Sequence, residues 1–277
     1  GRLGNQLFQA AFLDSVLPEG TKLTTTGMEE LLEGFDWDRF EVSNRRDSRS
    51  HQSAKRWYRR LGRAATALRL VNGYAQPRQN FEAGGRLYKL HGGGVTRSGG
   101  LFSGLTYVDK GYFQSAMLAK DATFRLKEIH LGAARDFLNG LPDGPRAFVH
   151  VRRGDYAKWT IFGRSPLLEL DYFRRGMDAI RAVAADTQFI LLSDDVSSVR
   201  DALPGLHVFA GANVYEDFGM MVLCEGGVIS NSTLSWWGGF FCRRTLPVIS
   251  PTGFLAHGLG FDYPVGITGA WMTPITP

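Results

Sequence analysis

Cysteine is nearly absent from this chain. Among 277 residues there are two, Cys224 and Cys242, too few for a disulfide framework or a cysteine zinc site. Both fall in apolar, helix-patterned surroundings and are expected to pack as small hydrophobic side chains, which favours a reducing compartment. No run of about 18 apolar residues occurs, so no membrane-spanning helix is expected. No signal peptide is visible. The chain opens on Gly1-Arg2-Leu3-Gly4-Asn5-Gln6, read as a glycine-rich strand-to-helix turn with no strand before it. The first strand is therefore expected to be missing from this sequence, and the lack of an N-terminal targeting segment carries no weight. The isoelectric point is about 9.3, yet there is no nucleic-acid recognition motif and no basic-aromatic ladder for stacking bases, so nucleic acid is not an expected partner.

What is present describes a globular protein. Hydrophobic residues make up 44% and charged residues 21%, enough for one large domain or two of ordinary size. Basic residues concentrate between 39 and 69: Arg39, Arg45, Arg46, Arg49, Lys55, Arg56, Arg59, Arg60, Arg63 and Arg69, opposed by Glu41 and Asp47. From Ala54 on, Trp57, Leu61, Ala65 and Leu68 recur at helical spacing. This basic amphipathic helix either turns a charged face to water or lies on an anionic membrane surface. The expected location is cytoplasmic, with peripheral contact at the inner membrane surface. Residues 24–38 read as irregular, and residues 84–104 as a loop-rich stretch framed by Gly84-Gly85 and Gly92-Gly93-Gly94. Asp36-Trp37-Asp38 looks like a two-carboxylate metal pair but follows no strand, so no metal site is expected there.

The breaker cluster Leu141-Pro142-Asp143-Gly144-Pro145 marks the expected domain boundary. After it the rhythm is strand, helix, strand. Strands are expected at 147–151, 189–192, 206–209, 228–229 and 248–249, with helices from Pro166 to about Ala185, from Tyr215 to Cys224 and from Leu234 to Cys242. Alternation of this kind gives a parallel sheet with right-handed crossovers. In such sheets ligands bind beyond the carboxyl ends of the strands.

The chemically interesting residues fall at those ends. The first strand runs into His150-Val151-Arg152-Arg153-Gly154-Asp155-Tyr156. A guanidinium is the side chain best shaped for phosphate, so Arg152 and Arg153 suggest a phosphate-bearing ligand. Ser193-Asp194-Asp195 ends the next strand, where the carboxylates can hold a ribose or an arginine. Ser230-Asn231-Ser232-Thr233 caps a helix whose free N–H groups form an anion site. Asp217, at another helix start, is favoured by the helix dipole or accepts hydrogen bonds from a guanine, with His150 completing the base site.

Taken in order, Gly1-Arg2-Leu3-Gly4-Asn5-Gln6-Leu7-Phe8-Gln9, His150 to Tyr156, Ser193-Asp194-Asp195 and Ser230-Asn231-Ser232-Thr233-Leu234-Ser235-Trp236-Trp237-Gly238 resemble the α-1,2-fucosyltransferases of glycosyltransferase family 11. Arg2 stands where many members have glycine. The resemblance implies a GT-B-like α/β architecture of two Rossmann-like domains with a cleft between them, here residues 1–143 on the acceptor side and 144–277 holding GDP-fucose. It implies inverting, metal-independent transfer of L-fucose to the hydroxyl of a galactose-terminated glycan. Arg152 would meet the charge growing on the β-phosphate, helped by N–H donors at the Ser232–Ser235 helix start, with Asp155 orienting an arginine. Asn5 would reach across the cleft to the phosphates or the sugar. His150 and Asp217 would read guanine, and Arg153, Asp194, Asp195, Asn231, Ser232, Thr233 and Ser235 would complete the donor site. The alternatives are a GDP-sugar transferase of another linkage and a nucleotide-diphosphate-binding protein without turnover.

Overall fold

A computed structural model describes residues 2–44, 51–92 and 94–277. Gly1, Arg45, Arg46, Asp47, Arg49 and Gly93 of the sequence reading lie outside the described residues. The chain divides into two compact units, one of residues 1–33, 37–124 and 264–267, the other of residues 34–36, 125–263 and 268–277.

The first unit opens with helix α1 (Leu3–Val16), followed by strand β1 (Lys22–Thr25), helix α2 (Glu29–Gly34), the two-residue strand β2 (Phe35–Asp36, part of the second unit) and strand β3 (Glu41–Asn44). The expected glycine turn at residues 1–6 is thus helical from Leu3 on, and residues 24–38 are ordered rather than irregular. Leu3, Gly4, Gln6, Leu7 and Phe8 are all packed inside, and a buried backbone must pair its polar groups, which here the helix does within its own segment. The Gln6 side chain accepts from Leu31 N–H at 2.9 Å. Asp14 accepts from Trp37 Nε1 at 2.9 Å and from Thr123 N–H at 2.9 Å, and burial raises its carboxyl above the ordinary value.

Helix α3 (His51–Ala67) then leads to strands β4 (Val71–Ala75), β5 (Arg78–Ala83), β6 (Arg86–His91), β7 (Thr96–Ser98) and β8 (Phe102–Val108), and to the short helix α4 (Ala116–Ala119). The stretch read as loop-rich is therefore largely strand. β5 and β6 form an antiparallel hairpin whose turn residues Gly84 and Gly85 both have positive φ, 58° and 71°, a backbone that two glycines adopt without strain. β4 pairs with β7 and β8 in a three-stranded mixed sheet, and β1 with β3 in a parallel pair. Among the described residues this unit holds these small sheets and no continuous parallel sheet.

The second unit contains β9 (Arg125–Leu126), α5 (Gly132–Asn139), β10 (Arg146–Val151), α6 (Leu170–Arg181), β11 (Gln188–Ser193), β12 (His207–Val208), α7 (Val214–Leu223), β13 (Gly226–Val228), α8 (Thr233–Phe241), β14 (Val248–Pro251) and β15 (Thr273–Ile275). The fold class is mixed α/β. Six strands form one sheet in the order β12-β11-β10-β13-β14-β15, every pair parallel. This is the doubly wound order, in which the chain starts at the centre, runs to one edge, then returns and runs to the other. Along β10 the odd residues Ala147, Val149 and Val151 pack against Tyr172, Phe173, Met177 and Ile180 of α6. Those four recur at helical spacing, Asp171 stands in the first turn and Arg181 in the last, each favourable to the helix dipole. The helix starts at Leu170 and not at Pro166, because the segment before it is extended, with Glu169 at ψ 151°. Tyr172 OH donates to Ile229 O at 2.9 Å, tying α6 to the end of β13. Cys224 and Cys242 are both free and buried. Among the described residues no helix is long and apolar enough to cross a membrane.

Candidate active site

The strand order reverses between β10 and β13, and at such a switch point the connections leave in opposite directions and open a crevice beyond the strand ends. The residues leaving β10 are Arg152 and Arg153, and those leaving β13 are Ile229, Ser230, Asn231 and Ser232. Two hydrogen bonds tie the residues around the end of β10 to those leaving β13. His150 Nδ1 lies 2.8 Å from Ser230 Oγ, and Tyr156 OH donates to Asn231 O at 2.8 Å.

Arg152 is the centre of a charged cluster. Its guanidinium donates to Asp155 Oδ1 at 2.6 Å and contacts Asp194 Oδ2 at 3.1 Å, and it lies 5.4 Å from the centre of the Tyr156 ring. Asp194 has a second task, accepting from Arg153 N–H at 2.8 Å. One carboxylate thus fixes both the side chain and the backbone at the end of β10. Gly154 belongs to the same arrangement, since a Cβ there would overlap the Asp194 carboxylate. The two carboxylates differ: the Asp155 side chain is 56% exposed and Asp194 24%. The Arg153 guanidinium donates to Leu168 O at 3.0 Å.

The turn before α8 is built by its own polar side chains. Ser232 caps the helix, its Oγ accepting from Leu234 N–H at 3.3 Å, and Thr233 is the first helical residue. Ser235 Oγ, fully buried, donates to Ser232 O at 3.1 Å and lies 3.5 Å from Ser230 Oγ. Asn231 is buried and committed on both sides, its Nδ2 donating to Pro166 O and its Oδ1 accepting from Leu255 N–H, each at 2.8 Å. Its structural work is to pin the loops at 166 and 255 to the end of β13. The helix behind them presents N–H groups and a partial positive charge.

Burial, with the nearby positive charge of Arg152, pulls the His150 imidazole down to about 3, so His150 is neutral. Asp217 accepts from Gly211 N–H at 2.9 Å, and burial raises its carboxyl. It stands at the carboxyl edge of β12, two strands from β10, whereas His150 bonds in the other direction, toward β13. No contact unites the two as one base site. Asp195 caps its own turn, accepting from Ser197 Oγ at 2.8 Å and from Ser198 N–H at 3.3 Å. Asn5 belongs to the first unit, inside α1, where its Oδ1 accepts from Gln114 Nε2 at 2.7 Å.

Three participants were not singled out in the sequence. Ser230 and Tyr156 were legible only as members of motifs, and their partners come from the sheet order. His257, whose Nδ1 lies 3.4 Å from Asn231 Nδ2, sits after β14 in a stretch with no motif. Asp36 and Asp38 acquire no third partner of metal-binding type: among the described residues no group of three or more His, Cys, Asp and Glu side chains is placed to hold a metal ion.

Residues 86–254 match the family described as glycosyl transferase family 11. Similar curated proteins include the O-antigen biosynthesis glycosyltransferase WbnK of Escherichia coli, 29% identical over 99 residues that cover 33% of this chain and 33% of that one. The galactoside 2-alpha-L-fucosyltransferase SEC1 of Bos taurus is 31% identical over 120 residues, 39% of this chain and 33% of its own. The galactoside alpha-(1,2)-fucosyltransferase 2 of Oryctolagus cuniculus is 30% identical over 120 residues, 39% and 34% respectively. The matched stretch spans about a third of the length of these relatives. No solved structure gives a significant match.

Proposed function

Because the chain belongs to glycosyltransferase family 11, we propose that it transfers L-fucose from GDP-fucose to a galactoside hydroxyl, forming an α-1,2 linkage with inversion and without a metal ion. The observation that carries this reading is Arg152, held by two carboxylates at the switch point of the parallel sheet, with the capped start of α8 on the neighbouring strand end. A GT-B-like division of labour, donor on the second unit and acceptor on the first, is the architecture it requires.

The chemistry follows from charge. As the bond from the fucose anomeric carbon to the β-phosphate oxygen breaks, that oxygen gains negative charge. The acceptor hydroxyl oxygen forms the new bond from the opposite face and releases its proton. Arg152 and the N–H groups at the start of α8 are preorganised donors for the leaving diphosphate, and donors of this kind commonly lower a barrier by about 3 kcal/mol each. They also supply the positive charge that a divalent cation would otherwise bring. An exposed Asp155 is displaced by the diphosphate, while Asp194 keeps the guanidinium oriented.

Calorimetric titration of GDP, with and without magnesium, on the wild type and Arg152→Ala is the first test. Micromolar binding that ignores magnesium and is lost in the variant is expected. Transfer from labelled GDP-fucose to galactosides, including O-antigen oligosaccharides in view of the bacterial relative's name, should fall at least about a hundredfold in Arg152→Ala, and linkage analysis of the product decides α-1,2. No GDP binding, or activity that survives the substitution, overturns the reading.

A further inference from the structure

Helix α3 is amphipathic in the wrong direction for a core helix. Its inward side is made of small and charged residues. A Cβ on Gly62 would overlap the ring of Tyr107 in β8, and the Thr66 side chain lies against Gly73 of β4. Arg63 Nε donates to both Asp109 oxygens at 3.0 Å. The apolar residues point the other way: Trp57 is 63% exposed, Leu61 58% and Leu68 69%. At 3.6 residues per turn they form one stripe, about 140° around the helix from Gly62 and Thr66. A helix in a globular unit normally buries such a stripe.

The stripe continues past the helix. Leu101 N–H donates to Arg69 O at 2.8 Å and Phe102 N–H to Leu70 O at 2.9 Å, which brings the exposed Leu101 and Phe102 against the chain that follows the exposed Leu68, where Leu70 is exposed as well. Exposed Arg60 and Arg56 lie on one side of the stripe, about 80° and about 120° around the helix from its centre, and from residue 48 to residue 81 the chain has no Asp or Glu. An isolated exposed leucine needs no explanation, but a run of this size does.

We propose that this face docks on the surface of a membrane rich in anionic lipid, with Trp57, Leu61, Leu68, Leu101 and Phe102 entering the headgroup boundary and Arg56 and Arg60 meeting the lipid phosphates. Charge selects this occupant. A second copy of the chain would bring the same basic rim against this one, whereas an anionic bilayer complements the rim and the apolar stripe together. The inference stands independently of the sugar donor.

The test is co-sedimentation of the full chain with vesicles of phosphatidylcholine alone and of phosphatidylcholine mixed with phosphatidylglycerol. Binding is expected only to the mixed vesicles and is expected to weaken with salt. Trp57→Ser with Leu61→Ser should abolish it. Arg56→Glu with Arg60→Glu should reduce it by at least about fivefold for each arginine removed. Both pairs lie outside the packed interior, so circular dichroism and melting temperature should match the wild type and certify the fold. No binding to the mixed vesicles, equal binding to both vesicle types, or equal binding by wild type and variants overturns the proposal. A dimer in sedimentation velocity that Trp57→Ser with Leu61→Ser dissolves, without vesicle binding, assigns the face to a second copy and overturns it as well.

Discussion

Arg152 sits between an exposed carboxylate and a half-buried one, and the difference decides what each substitution should do. In the proposed reading Asp155 competes with an incoming diphosphate for the same guanidinium, so Asp155→Asn removes a competitor and is expected to leave GDP affinity unchanged or tighter by a few-fold. Asp194 fixes the Arg152 side chain and the Arg153 N–H together. Asp194→Asn should therefore weaken GDP binding by about tenfold or more, the scale of a lost charge-assisted hydrogen bond. Titration calorimetry on the two variants separates them, and an equal loss in both would remove the distinction drawn between the two carboxylates. His150 makes a second residue-level prediction. Its folded-state value of about 3 lies below the ordinary value near 6.5, so the unfolded chain takes up the proton first. Its contribution is complete above about pH 6.5 and is lost as pH falls toward about 3, on the order of a few kcal/mol in all. Urea midpoints measured across this window should fall more steeply in the wild type than in His150→Gln. Parallel curves would mean that His150 is not held neutral by burial.

At the scale of elements, α8 is held by aromatic packing. Trp236 is fully buried, edge-on to Trp237 and Trp271 at 5.0 and 5.2 Å and stacked on Phe240 at 5.6 Å. Trp236→Ala should cost about 3–5 kcal/mol, seen as a large drop in unfolding midpoint, and should also loosen the Ser232 cap that α8 carries. The second unit was legible in the sequence because each strand end there is marked by a switch from apolar to polar residues, as at Val151-Arg152 and Leu192-Ser193-Asp194. Its boundaries were less so: Pro166 suggests a helix start, yet the chain stays extended to Glu169 because Asn231 holds the Pro166 carbonyl. The strand β15 has no apolar run to reveal it, since its residues Thr273, Pro274 and Ile275 add only an edge to the sheet. In the first unit Gly4 suggests a turn, but the buried neighbours Leu3, Leu7 and Phe8 carry helix through it. The spacing of Trp57, Leu61 and Leu68 correctly predicted a helix; that its apolar side faces outward depends on Gly62 meeting Tyr107, a contact across some 45 residues that no local pattern encodes.

For the whole molecule, the test is whether structure and chemistry reside in the same unit. A ligand that binds only the folded state raises its stability by RT ln(1 + [L]/Kd), about 2.7 kcal/mol at a hundred times Kd. In this chain the proposed phosphate anchor and the Trp236 packing both belong to the unit built on β10–β15. The calorimetric transition that GDP raises should therefore be the one that Trp236→Ala lowers. Arg152→Ala should remove the GDP shift, while its own effect on the unliganded transition stays small, because its guanidinium is bound to carboxylates beyond the strand end and is not part of the apolar core. The shift should persist in the presence of a chelator if, as proposed, guanidinium and helix N–H groups carry the diphosphate charge. A GDP shift on a transition that Trp236→Ala leaves in place would put the nucleotide outside this unit. A shift abolished by the chelator would replace Arg152 with a cation as the principal partner of the phosphates.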